Sequence, residues 1–156
     1  MQNIKYNILA IANTDLINTI AYWYKDEWNL PIEETINMLK GVILDPAQFH
    51  MILEVDGVPV ATGGLYEKVA ILNLVPSLKK HKNWLALVYT VPNQRKKGYA
   101  SLLCKHIEKI AKLKGIEKLH LFTHTAETLY HTLNWIVVQR INHNDKSITI
   151  MEKKLA

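Results

Sequence analysis

Gln94-Arg95-Lys96-Lys97-Gly98-Tyr99-Ala100 is the stretch around which the chain is organised. An apolar run from Trp84 to Val91 leads into it, Pro92 interrupts, and an amphipathic stretch from Ala100 to Leu113 leads out. That order predicts strand, basic glycine-bearing turn, helix. The first amides of a helix have no internal partner and carry partial positive charge. A helix opening beside this turn is therefore an anion site, and a phosphate is its natural occupant. Gly98 lets the backbone bend freely and approach a ligand closely. Ala100 keeps the next side chain small, and Arg95, Lys96 and Lys97 add formal positive charge.

Other phosphate loops do not fit. A P-loop needs a glycine at each end followed by Lys-Ser/Thr, and a dinucleotide fingerprint needs three glycines early in a βαβ unit. Neither pattern is present. The chain has 156 residues, which predicts one domain over 1–156. Hydrophobic content of 49% and charged content of 21% are ordinary for a soluble globule. No apolar run reaches the roughly 18 residues that a membrane helix needs, and the start lacks the pattern of a signal peptide. The single cysteine, Cys104, excludes an internal disulfide and fits a reducing, cytoplasmic setting. A formal charge of +5 raises the question of nucleic acid. The basic residues are spread from Lys5 to Lys154, with small clusters at Lys79-Lys80-His81-Lys82 and Arg95-Lys96-Lys97. There is no RNA-binding aromatic signature and no zinc spacing, so neither nucleic acid nor a metal is expected.

Along the chain, Ile4 to Ile11 reads as a strand. Asn13-Thr14-Asp15 offers helix caps, and Leu16, Ile17, Ile20, Ala21, Tyr24 and Trp28 follow on one helical face. A second helix runs from about Ile32 to Leu44, with Ile36, Leu39, Lys40 and Ile43 near one face. His50 to Val55 and Val58 to Tyr66 form a hairpin about Asp56-Gly57, and Gly63-Gly64 allows a bulge or close backbone approach. Residues 69–82 read as a loop with a short irregular element. Asn83 to Val91 is the central strand, its near-continuous apolar character suggesting burial on both faces. After the turn and its helix, Gly115 is a natural C-cap. Glu117 to Thr123 is a strand, Thr125 to Leu133 a short helix, and Asn134 can take a left-handed cap. Trp135 to Ile141 and Ser147 to Lys153 close the chain as a hairpin, at whose edge a second copy could pair to give a homodimer. A meander followed by a βαβ crossover is one layered α/β domain.

The turn resembles Arg/Gln-x-x-Gly-x-Gly/Ala, the pyrophosphate loop of the GNAT acyl-CoA N-acyltransferases, with Arg95, Gly98 and Ala100 at the fixed positions. Two further stretches are similar to that family. Ala126-Glu127-Thr128-Leu129-Tyr130-His131-Thr132-Leu133-Asn134-Trp135 resembles Ala-x-x-Leu-Tyr-x-x-Leu-Gly-Phe. Trp84-Leu85-Ala86 opening the central strand, with Tyr24-Lys25-Asp26-Glu27-Trp28 upstream, resembles one branch of it. The element order agrees. The resemblance implies a mixed α/β fold with a central, mostly antiparallel sheet splayed at the cofactor site and flanked by helices. It implies acetyl-CoA as the cofactor. Backbone of Val88, Tyr89 and Thr90 would hold pantetheine, amides of Arg95, Lys96, Lys97, Gly98, Tyr99 and Ala100 the pyrophosphate, and Thr123 would touch pantetheine where the family often has Asn. Tyr130 would reach the coenzyme A sulfur.

The chemistry this implies is direct attack of a neutral primary amine on the thioester. A backbone amide near Thr90 would serve as oxyanion donor, and Tyr130 as general acid for the departing thiolate; the alternative for Tyr130 is a core tyrosine. Glu67 is the first candidate for the base, followed by Glu27 and His124. Tyr24, Glu27 and Trp28 concentrate aromatic surface and acid where a cationic acceptor would bind. The acceptor is a small-molecule amine or a peptide N-terminus. Leu119 to His124 is similar to a segment of actin N-terminal acetyltransferases. The runner-up to an enzyme is a non-catalytic acyl-CoA-binding sensor.

Overall fold

A tight turn starts the sheet. In the computed structural model, which describes residues 2–155, Asp56 and Gly57 take φ of 51° and 82°. They fold β2 (Phe49–Val55) back on β3 (Val58–Tyr66), as their sequence demands. Met1 and Ala156, the ends of the expected domain, lie outside the described residues. β1 (Ile4–Ile8) adds to β2, and β4 (Trp84–Thr90) to β3, all antiparallel. β5 (Lys118–Thr123) runs parallel to β4, and the hairpin β6 (Ile136–His143) and β7 (Lys146–Lys154) completes the order β1-β2-β3-β4-β5-β7-β6. This is the mixed α/β, mostly antiparallel sheet read from the sequence.

Strand alternation feeds two layers. On one face α1 (Thr14–Trp28) and α2 (Ile32–Ile43) bring Ile17, Ile20, Tyr24 and Leu39 onto Ile52 and Tyr89. On the other, α4 (Tyr99–Leu113) packs Leu103, Ile107 and Ala111 against Met51, Leu53, Leu85, Leu119 and Leu121. Residues 69–82 are more ordered than expected. They hold α3 (Ile71–Leu74) and a 3-10 helix (Pro76–Lys80), whose Ile71, Leu72 and Leu78 cover Trp84, Ile148 and Ile150. α5 (Glu127–Thr132) precedes the closing hairpin.

Several boundaries move for local reasons. β1 stops at Ile8, not Ile11, because the Ala10 amide donates to Asn13 Oδ1 and the Asn13 amide donates back to the Ala10 carbonyl. Asn13 therefore spends its side chain on that turn rather than on capping α1. On α2 the buried residues are Thr35, Leu39 and Val42, while Lys40 is exposed. Gly115 follows the end of α4 at φ 87°, and the Ile116 amide donates to the Ala111 carbonyl, closing the helix in the left-handed manner. Asn134 does the same after α5, at φ 71°.

Two irregularities in the sheet prepare the site. Gly64 pairs with Ala86 and Thr62 with Tyr89, so Leu87 and Val88 both oppose Gly63: a bulge in β4, with Leu87 at φ 59°. The bulge foreshadowed by Gly63-Gly64 thus sits in the facing strand. A Cβ on Gly63 would stand 3.1 Å from Val88 Cγ2, so the missing side chain makes room for it. β4 and β5 then pair only at Trp84 and His120, held by the His120 amide on the Asn83 carbonyl at 2.9 Å. Beyond that point the two strands splay, and the facing backbone of β4 is left open.

Candidate active site

The basic turn opens α4 as its sequence suggests. Lys96 and Gly98 take φ of 64° and 85°, and the first intrahelical bond runs from the Leu102 amide to the Gly98 carbonyl at 3.1 Å. The amides of Tyr99, Ala100 and Ser101 precede that bond, and no side chain caps them. A Cβ on Gly98 would meet nothing within 4 Å, so its positive φ, not crowding, calls for glycine. Arg95 turns inward. Its Nε donates to the Thr90 carbonyl at 2.8 Å, a guanidinium nitrogen stands 3.3 Å from Glu27 Oε1, and the group lies 5.5 Å from the Tyr89 ring centre. The loop is thereby pinned to the end of β4 and to α1. Lys97 donates to Gln94 Oε1.

Between β4, the loop and α5 lies a cleft of about 410 Å³. It is lined by Val88, Tyr89 and Thr90 from the strand, Gln94 to Lys96 and Gly98 to Ser101 from the loop and α4, and Thr125, Ala126, Leu129 and Tyr130 from the α5 segment. Glu27 and Trp28 close it from α1. Tyr130 is 6% exposed. Burial, aided by the neighbouring Cys104, holds its phenol well above the usual tyrosine range, and burial pushes the Cys104 thiol up to about 12. Both keep their protons at neutral pH. Tyr130 is held from behind: Trp135 packs edge-on at 6.1 Å and donates from Nε1 to Glu108 Oε2 at 3.2 Å. Lys153 pairs with Glu108 and donates to the Leu133 carbonyl at 2.7 Å. A buried carboxylate with two partners thus ties α4, the segment after α5 and β7 into one unit.

The other expected site residues are dispersed. The Thr123 hydroxyl accepts the Ala126 amide at 3.0 Å, at the start of α5, and does not line the cleft. Glu67 lies in a different hollow of about 700 Å³, between α2 and the end of β3, and His124 is exposed outside the cleft. Tyr24 is fully buried beneath the site, donating to the Leu87 carbonyl, whereas Trp28 is 41% exposed at the rim. Sequence reasoning missed Gln94, Ser101, Thr125, Ala126 and Leu129 as lining residues. Ser101 could have been found as the third residue of a helix whose first amides were already assigned to a ligand.

The model of the acetyltransferase (GNAT) family matches residues 7–133. The chain belongs to the GNAT acetyltransferase family. Solved GNAT structures share its fold. An aminoglycoside 6′-N-acetyltransferase complexed with coenzyme A superposes with a TM-score of 0.76 at 13% identity, covering 97% of each chain. A protein from Salmonella typhimurium solved with its cofactor acetyl-CoA gives 0.75 at 13% identity, over 98% of this chain and 94% of that one. The ribosomal-protein-S18-alanine N-acetyltransferase from Escherichia coli gives 0.69 at 17% identity, over 100% of this chain and 95% of that one. No curated protein sequence matches the chain. Family membership makes this GNAT an acyltransferase. Among the described residues no helix is long and apolar enough to cross a membrane, and no cluster of three His, Cys, Asp or Glu residues could hold a metal.

Proposed function

We propose that this chain moves an acetyl group from acetyl-CoA to a primary amine by direct attack, with residues 1–156 acting as one domain. The observation that carries the reading is the meeting, in one cleft, of the uncapped amides at the start of α4 and the buried hydroxyl of Tyr130. The diphosphate lies against the amides from Arg95 to Ala100, with Lys96 and Lys97 adding charge. Pantetheine runs along the open backbone of Val88, Tyr89 and Thr90 as an added strand. A β4 amide in that stretch meets the developing oxyanion.

Tyr130 then protonates the departing thiolate. Burial keeps the Tyr130 hydroxyl protonated at neutral pH, so it is in its donating form when the thiolate departs. The amine enters over Trp28, whose exposed ring suits a cationic acceptor. Its proton leaves through water, because Glu27 is paired with Arg95 while Glu67 and His124 lie outside the cleft. The acceptors named for the structural neighbours, aminoglycosides and a ribosomal-protein alanine, suggest sugar amines and peptide N-termini as the two classes to try first. The lone, buried Cys104 agrees with a cytoplasmic setting, and the exposed edge of β6 is where a second copy would pair.

The test is a calorimetric titration with coenzyme A, followed by thiol release from acetyl-CoA across a panel of amino sugars and peptides. The proposal expects tight binding and amine-dependent release. Failure to bind coenzyme A refutes it.

A further inference from the structure

Behind β4 runs a buried polar chain that the acetyl transfer does not use directly. Tyr24, His50 and Tyr66 are 0%, 0% and 3% exposed. The Tyr24 hydroxyl stands 2.6 Å from the Leu87 carbonyl and 3.1 Å from His50 Nε2, and His50 Nδ1 stands 2.8 Å from the Tyr66 hydroxyl. Counting protons assigns every link. A carbonyl only accepts, so Tyr24 donates to Leu87; its oxygen then accepts from Nε2–H; Nδ1 carries no proton and accepts from Tyr66. One tautomer satisfies the whole chain.

The chain ends on a peptide carbonyl, which cannot pass a proton onward, so it is no proton relay. What it can do is hold that carbonyl. Leu87 sits at φ 59°, a conformation that is strained for a residue with a side chain. A buried hydrogen bond to its carbonyl offsets part of that strain. The bulge sets which β4 amides turn towards the gap, where β4 finds no partner on β5 beyond Trp84. The space behind it is closed. A Cβ on Gly64 would stand 2.5 Å from the Phe49 carbonyl, 2.7 Å from Tyr66 Cε1 and 2.8 Å from His50 Nδ1.

We infer that Tyr24, His50 and Tyr66 form a strut that aims the β4 bulge, so that a backbone amide at Val88 or Tyr89 meets the thioester carbonyl. They are positioning residues, and the inference rests on the acetyl-CoA reading above. A donor that is fixed in advance polarises the carbonyl most; a relaxed bulge loses that alignment while the phosphate loop stays as it is.

The test needs no acceptor. Infrared difference spectra of acetyl-CoA, isotope-labelled at the thioester carbonyl and bound to the full chain, report that polarisation. The native protein displaces the carbonyl band to lower frequency than free acetyl-CoA. Tyr24→Phe loses most of the displacement, while its affinity for coenzyme A stays within about threefold, less than 1 kcal/mol. Tyr22→Phe, exposed on the same helix, keeps it. If Tyr24→Phe does not fold, Tyr66→Phe removes only the far anchor and gives a partial loss. A native-sized displacement in either folded variant overturns the strut. An undisplaced band in the native protein overturns it as well but leaves the enzyme standing. Absence of acetyl-CoA binding removes the enzyme reading itself.

Discussion

Acid should destabilise this protein through His50 before its carboxylates titrate. His50 is fully buried, both ring nitrogens are engaged by neutral hydroxyls, and burial lowers its pKa from 6.5 to about 3. Its folded pKa is depressed, so the unfolded chain binds the proton first. The stability it contributes is complete above 6.5 and is lost as the pH falls from there towards about 3. Going from about pH 8 to about pH 5 crosses roughly 1.5 units of that window, which at 1.36 kcal/mol per unit costs about 2 kcal/mol. For a chain of this length that is a fall of about 4–8 °C in Tm. The assay is thermal unfolding at both pH values for the native chain and for His50→Gln, whose amide can still donate to Tyr24 and accept from Tyr66. His81, His106 and His120, also lowered by burial, contribute to both proteins and cancel in the comparison. Glu127, held down at about 2 chiefly by its hydrogen bonds from Arg140, loses its contribution only below 4.5, outside the window. The native protein should therefore lose about 2 kcal/mol more than His50→Gln across this interval. Equal losses in the two proteins would refute the assignment of His50 as a buried neutral imidazole.

Four further outcomes follow from the same geometry. Tyr130→Phe should cut amine-dependent thiol release by roughly 100-fold or more, the usual scale of a lost general acid, with acetyl-CoA affinity in calorimetry nearly unchanged; undiminished turnover removes the acid role. Gly98→Ala meets no neighbour but must hold a φ of 85°, so strain of about 1–2 kcal/mol should weaken coenzyme A binding by roughly 5- to 30-fold. Gly64→Ala drives a Cβ into backbone 2.5 Å away, and a loss of about 1–3 kcal/mol or more is expected in urea unfolding. By contrast Gly41→Ala, exposed in α2 with nothing within 4 Å, should gain about 0.5–1 kcal/mol.

Much of this protein is written locally. The Asp56-Gly57 turn, the helical faces of α1 and α4, the left-handed Asn134 and the Gly98 turn each depend on residues within a few positions of one another, and such preferences act before any distant contact forms. The α4 N-terminus was legible for that reason, and the family resemblance extended it to Tyr130. Residues 69–82 were not legible, because their order comes from covering Trp84 and Ile150, far along the chain. Asn13 offered two uses for one side chain, and the turn at Ala10 took it.

Outside residues 69–82 the sequence alone therefore determined which segments are strands and helices, where anionic charge would be received, and the order of the sheet's early meander. Only the tertiary structure decided that Glu27 meets Arg95, that Glu67 lies away from the cleft, and that Tyr24 is buried beneath β4 with its hydroxyl on the Leu87 carbonyl. The links from Tyr24 span 26 residues to His50 and 63 to Leu87. No local preference encodes contacts at such separations; they exist because burying a hydroxyl or an imidazole without a partner is costly, and only the folded sheet brings the partners together.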